Sequence, residues 1–349
     1  MKPASAGDRR LLTGPRLLGF MTALAGLLAV CIVLGCSFGA GTVSLLDLLP
    51  GGAEPGPAER TILFEVRLPR VLLAAVLGGA LTVAGVVFQA LLRNPLADPY
   101  VLGVSGGASI GGVVALMLGL GGGSAILGGL GVPVSAFAGA LGALLLIEWV
   151  ATVDGRLTVY TVLLTGAIFN AFSAALIYFL QSVASLEQLH GIVFYLMGRV
   201  PSLGRGMLAV IAIAIAATVV ALLTMSRDYN SLALGEEGAQ YLGVDIERVK
   251  RRTFVLGSLL TALAVSVAGM IGFVGLVVPH LLRLILGPDH RLLLPAGFLG
   301  GASFLVLADL LSRVLLAPNE LPVGVVTALI GGPFFLYLLR RRSRSHGFV

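Results

Sequence analysis

Few residues in this 349-residue chain could do covalent chemistry, and their spacing excludes most of it. The lysines are Lys2 and Lys250, and neither follows a glycine, so the Gly-Lys-Ser/Thr step of a phosphate-cradling loop is missing. The four histidines never stand in paired ligand spacing and there is no His-Glu-x-x-His, so no metal site is expected. Cys31 and Cys36 lie five apart in one apolar run, which turns them to different faces as small core or lipid-facing residues. What is left is recognition chemistry. Arg67, Arg70 and Arg313 stand at the ends of apolar runs, where a guanidinium either anchors at a membrane surface or grips a carboxylate with both arms. Thr158, Thr161 and Thr165 share one helical face, and Asn170 and Ser173 form a second pair. Gln89 and Asn170 are amides inside long apolar segments, where an amide either bonds a neighbouring helix or faces water.

The elements that carry these groups must be membrane helices. Hydrophobic residues make up 57% of the chain, charged residues 11%, and mean hydropathy is +1.02; a soluble domain carries about a quarter charged residues. The runs Leu17–Phe38 and Val71–Leu92 contain no charge, and each is long enough to cross a hydrocarbon core of about 30 Å. The fold class is therefore all-α and polytopic, since unpaired backbone is not tolerated in lipid. Ten crossings are expected, at about 17–38, 71–91, 101–119, 125–150, 158–180, 206–225, 253–271, 274–287, 292–311 and 322–339. The eighth, "GFVGLVVPHLLRLILG", is short and interrupted by Gly and Pro. The first is a start-transfer helix and not a cleaved signal, because it is too long and the chain stays membrane-like after it.

The net charge of +6 is distributed unevenly. With the N-terminus inside, most of the 23 Lys and Arg fall in cytoplasmic segments, which places both termini in the cytoplasm. The expected organisation is one transmembrane domain over 1–349: a tail at 1–16, six helices over 17–225, a polar cytoplasmic segment at 226–252, four helices over 253–339 and a basic tail at 340–349. External stretches lie at 39–70 and 181–206. Nothing in this pattern calls for a nucleic-acid partner.

The segment "SRDYNSLALGEEGAQYLGVDIERVKRR" (226–252) is the longest polar stretch between the termini. Asn230 and Ser231 are candidate N-caps, Glu236 and Glu237 suit the start of a short helix, Gly243 suits its end, and Asp245 caps the helix that enters the seventh crossing. One or two short helices outside the membrane follow, with Leu232, Leu234, Tyr241 and Leu242 available for contact. The plain alternative is a loop folded over its own helices.

At this point the sequence resembles a known family. "LALGEEGAQYLGVD" is similar to the coupling loop of FecCD-type permeases, the membrane subunits of ABC importers for ferric siderophores, haem and cobalamin. "RLPRVLLA", "FQALLRNPLADPYVLGVSGGAS", "FYLMG", "GFVGLVVPHLLR", "GPDHRLLLPAG" and "ELPVGVVTALIGGPFFLYLL" agree in order and spacing over about 60–340. The resemblance implies a type II ABC importer permease fold with ten transmembrane helices, set in the inner (cytoplasmic) membrane. It implies a pair of such subunits with a pathway between them, a homodimer or a heterodimer with a paralogue. Two cytoplasmic ATPase subunits would bind ATP and Mg, leaving this chain without cofactor or catalysis, and an extracytoplasmic binding protein would deliver the substrate. By the same resemblance the ATPase contact maps onto Ala233, Leu234, Gly235, Glu236, Glu237, Gly238 and Ala239, and the binding-protein sockets onto Arg67, Arg70 and Arg313. The fifth crossing would run along the pathway, with Thr158, Thr161, Thr165, Asn170, Ser173 and Gln89 as candidates and Val159 at an inner gate. The resemblance leaves ferric siderophore, cobalamin and haem open as substrates and favours the first.

An ion-coupled transporter acting alone is the competing class. It needs intramembrane acids, and the acids available, Glu148, Asp309 and Glu320, all lie near expected helix ends. It also leaves the capped polar segment without a role.

Overall fold

The computed structural model describes residues 14–39, 56–120 and 130–345. Helix α1 (Gly14–Ser37) is followed by α2 (Pro57–Thr61), which passes through a π-helical turn (Ile62–Arg67) directly into α3 (Leu68–Leu91). After a 3-10 turn (Pro99–Leu102) come α4 (Val104–Met117) and α5 (Gly131–Ala151). A two-residue hairpin pairs Thr152–Val153 with Arg156–Leu157 around Asp154 and Gly155, both at positive φ. Then follow α6 (Val159–Val183), α7 (Leu186–Leu196), α8 (Arg205–Thr224), α9 (Ser226–Leu232), α10 (Glu236–Tyr241), α11 (Ile246–Ala268), α12 (Val274–Leu286), α13 (His290–Val314) and α14 (Val323–Ser345).

Seven of these are long and apolar enough to cross a membrane, counting α2 to α3 as one rod of 35 residues. Three more apolar helices, within α4, α12 and α14, are shorter. Together they fall on the ten expected crossings, and the shortness of the eighth is borne out by the 13 residues of α12 with Pro279 inside. The polar stretch 181–206, expected only as an external segment, contains α7, whose N-cap Ser185 accepts from the Gln188 N–H while the Gln188 side chain returns a bond to the Ser185 N–H. The loop 40–55, both chain ends (1–13 and 346–349) and the first residues of the expected fourth crossing (125–129) lie outside the described residues.

Helix α3 is the axis of the bundle; nearly all of it is buried, packed by α13, α11 and α12. Close approach is set by absent side chains: a methyl on Gly85 would overlap the Gly275 carbonyl of α12, and one on Gly78 would overlap the Gly301 carbonyl of α13. Between α11 and α12 the chain is broken at 269–273, with Gly269 and Phe273 at positive φ. The freed backbone is pinned by two bonds: Arg199 N–H donates to the Ala268 carbonyl (2.7 Å), and Ile271 N–H to the Tyr100 hydroxyl (2.9 Å).

The caps in 226–252 divide. Asp245 caps α11, accepting from the Arg248 N–H at 3.1 Å, and Gly243, at φ +81, follows the end of α10. Asn230 and Ser231 are not N-caps; both lie within α9, and α10 starts instead after Gly235 at φ +103. A backbone in that region favours glycine over any capping side chain.

Candidate coupling and docking sites

Both ends of the bundle carry clusters of charge. At the lower end, α10 is tied into three neighbours by one chain of ion pairs. Glu236 reaches Arg93 in the turn after α3 (3.2 Å) and Lys250 on α11 (2.8 Å); Lys250 also bonds Glu247 (3.2 Å). The other Glu247 oxygen accepts from the Leu157 N–H at 2.8 Å, in the hairpin that leads into α6. A single set of contacts thus joins the 233–239 segment to the hairpin just before Thr158 and Val159, which the sequence marks as pathway and gate candidates.

A second tie runs from α9 to α13. The Asn230 amide donates to Asp289 Oδ1 (2.7 Å), and its carbonyl oxygen accepts from the His290 N–H (2.8 Å) and lies 2.9 Å from His290 Nδ1. Buried Tyr229 packs tilted against the His290 ring, centroids 5.7 Å apart, and its hydroxyl accepts from Thr253 on α11 at 3.1 Å. The Arg291 guanidinium, bonded to Asp289, holds that carboxyl down at about 2. Asn230 therefore fastens the polar segment to the start of α13.

The segment turns only some of its residues outward. Ala233, Leu234 and Glu237 are exposed, and Ala239 is fully buried in the chain's own core, as is Leu232. Ala239 is thus withdrawn from the expected contact set. Of the apolar residues expected to be available for contact, Leu234, Tyr241 (92% exposed) and Leu242 face outward, and Leu232 does not.

At the upper end the three arginines expected as binding-protein sockets are buried and bonded within the chain. Arg70 donates through Nε to Asp309 Oδ1 (3.0 Å) and through Nη1 to both oxygens of Glu320 (2.9 and 3.0 Å). Arg313 donates to Asp309 Oδ2 (3.0 Å) and to the carbonyls of Phe38 (3.0 Å) and Gly35 (2.9 Å). Arg67 donates to the carbonyls of Cys36 (3.0 Å) and Ser37 (3.1 Å). Arg67 and Arg313 satisfy carbonyls left open at the end of α1, where the helix dipole also favours a cation. Exposed charges at this end include the Arg205–Glu65 pair, Arg199 and, in part, Glu320, and the last two line a cavity of about 430 Å³ with Phe194, Pro318 and Leu321.

The polar residues of the apolar segments face their own chain. Gln89 is buried between α3 and α12, its amide nitrogen 3.5 Å from the Ala97 and Gly275 carbonyls. Asn170 donates to the Tyr100 carbonyl (2.9 Å), and Ser173, also buried, donates back to the Phe169 carbonyl (2.7 Å). Gln89 and Asn170 thus reach other segments of the chain, whereas the Ser173 bond stays within α6. Thr158 is exposed at the N-cap position of α6, and Val159, Thr161 and Thr165 are half-buried.

A model of the FecCD transport family matches residues 27–341. The chain belongs to the FecCD transport family. It is 41% identical to the hemin transport system permease protein HmuU of Yersinia pestis, covering 95% of this chain and 98% of that one. It is 44% identical to the cobalamin import system permease protein BtuC of Halobacterium salinarum over 81% of this chain and 74% of the relative. A solved metal-chelate type ABC transporter in an inward-facing conformation superposes with a TM-score of 0.82 at 31% identity, covering 93% of this chain and 99% of that one. This FecCD protein is thus an ABC importer permease and a multi-pass membrane protein, and its relatives are transport permease subunits.

Two features of the FecCD chain escaped sequence reasoning. Asn230 looked like a cap because its type suits one; only the approach of α13 gives it another use. The letters Gly-x-Ser-x-Gly occur at Ser105 and Ser109, yet both serines are buried in α4 and follow a 3-10 turn, where a hydrolase nucleophile needs a strand-to-helix turn.

Proposed function

We propose that this permease imports a bulky iron chelate of the ferric siderophore type across the cytoplasmic membrane, as one of two copies of itself, with both termini inside. Two cytoplasmic ATPase subunits seat on α9 and α10, and an extracytoplasmic binding protein delivers the chelate at the upper end. The observation that carries this reading is the Glu236–Lys250–Glu247 chain, which links the outward-turned segment to the hairpin before α6. Closure of the ATPases would press on Leu234, Glu237, Tyr241 and Leu242. The ion pairs would pass that movement to Thr158, Val159, Thr161 and Thr165 at the inner mouth of a pathway between the copies. Asn230 gives a second route, through the 25-residue rod of α13, to the upper charge cluster. There the buried arginines Arg67, Arg70 and Arg313 fix the frame, and contact with the binding protein falls on the exposed rim at Arg199 and Glu320.

ATP and Mg belong to the ATPase subunits, and this chain is non-catalytic. The relatives named for cobalamin and hemin support cobalamin or haem as alternative cargo on the same architecture. The deciding experiment is calorimetry on the cognate binding protein with ferric siderophores, haem and cobalamin, followed by uptake in proteoliposomes holding permease, ATPase and binding protein. Tight binding and ATP-dependent uptake of a ferric siderophore are expected; binding of cobalamin alone overturns the substrate, and uptake without the ATPase overturns the mechanism.

A further inference from the structure

A groove of about 450 Å³ lies between α8 and α11 at the lower end, formed mainly by Ala221 and Met225 on one side and Arg251, Arg252, Val255 and Leu256 on the other. Its two halves differ in chemistry. The apolar run of α8 ends at Thr224, and that of α11 begins just after Arg252, so the arginines stand at the boundary between hydrocarbon and water. Ala221, Val255 and Leu256 lie on the hydrocarbon side of them. Helix α8 is mostly unburied within the chain, with Val210, Ile213 and Val220 exposed, as a helix at the lipid-facing perimeter is.

The two cations are not equally occupied. Arg251 is held by Glu148 of α5. Arg252 is exposed and pairs with no carboxylate among the described residues. Arginines that only anchor a helix lie along its flank and need no concavity. Here two adjacent guanidiniums border a slot whose other walls include the apolar Ala221, Val255 and Leu256. A basic pocket between membrane helices suits an anionic headgroup, whose phosphate a guanidinium grips with both arms.

We propose that this groove is a binding site for an anionic phospholipid, with its phosphate on Arg252 and Arg251 and an acyl chain against Ala221, Val255 and Leu256. Position on α11, three turns or fewer from Glu247 and Lys250, puts the lipid beside the ion-pair chain that ties α10 to the hairpin.

The test is native mass spectrometry of the full-length permease in detergent, titrated with dioleoyl-phosphatidylglycerol and, separately, dioleoyl-phosphatidylcholine. The wild type is expected to retain phosphatidylglycerol at least about fivefold more tightly, and Arg252→Gln to remove about that factor, the order of one cation at an anionic surface. Leu256→Trp keeps both cations and fills the slot, so it should reduce retention of both lipids. Arg248→Gln, which removes an exposed cation paired with Asp245 outside the groove, should change neither. Equal retention of the two lipids overturns the proposal. So does undiminished retention by Leu256→Trp, an equal loss in Arg248→Gln, or displacement of the lipid by millimolar inorganic phosphate. Undiminished retention of phosphatidylglycerol by Arg252→Gln overturns it as well.

Discussion

The two charged ends of this FecCD permease use the same residue types in opposite ways. At the upper end, Arg70, Asp309 and Arg313 are almost wholly buried, and their bonds tie α3 and α13 to each other, to the end of α1 and, through Glu320, to the turn before α14. At the lower end, Glu236 and Arg93 are nearly half exposed, only Lys250 is sunk, and the pairs flank a glycine at φ +103 and a face of exposed apolar residues. Buried pairs are costly to break because the orphaned partner stays out of water, whereas exposed pairs exchange readily with solvent. The upper cluster is built as a clamp and the lower as a joint.

Removing the centre of the clamp should have the largest effect. Asp309→Asn leaves two buried guanidiniums with half their compensation, and a loss of about 3–5 kcal/mol is expected. Thermal melting in detergent measures it; a melting temperature like that of the wild type would mean the cluster is not a clamp. Next comes Gly235→Pro, which cannot adopt φ +103 and loses the N–H that donates to the Leu232 carbonyl. Insertion and dimerisation should survive, while substrate moved per ATP falls about tenfold or more, within the range of a coupling free energy. Transport at the wild-type ratio would remove α10 from the coupling path.

Asn230→Ala should cost less, about 1–3 kcal/mol, since Asp289 keeps Arg291 and the loss is chiefly of bonds to Asp289 and His290. Its sharper readout is the transport-to-hydrolysis ratio at a temperature where the protein is folded; a stability change with an unaltered ratio would make Asn230 a packing residue only. The smallest effect belongs to Glu320→Gln. Arg70 retains Asp309, and an ion pair with a partly exposed partner contributes about 0–1 kcal/mol. A melting shift as large as that of Asp309→Asn would mean that burial does not set what a pair contributes in this clamp.

Much of this was legible in the residues. The ten apolar stretches, the short eighth crossing and the capped segment 226–252 followed from composition, run length and a few capping residues, which are local properties. The inward turn of Arg67, Arg70 and Arg313 was not legible. Arg70 and Asp309 are 239 positions apart, and an arginine at the end of an apolar run looks the same whether it meets water or a carboxylate. Gln89 and Asn170 presented the same ambiguity between helix contact and open pathway, and their bonding partners, the carbonyls of Gly275 and Tyr100, are likewise distant in sequence.

By itself, the sequence determined that this is a multi-helix membrane protein with no phosphate-binding loop and one helical segment kept out of the lipid, because hydrophobic run length and missing residue types need no partner to be read. Only the tertiary structure decided which charges are clamp and which are joint. Burial depends on what the rest of the chain brings alongside, and here it was the arrival of α13 beside α3 and α9 that sealed one end and latched the other.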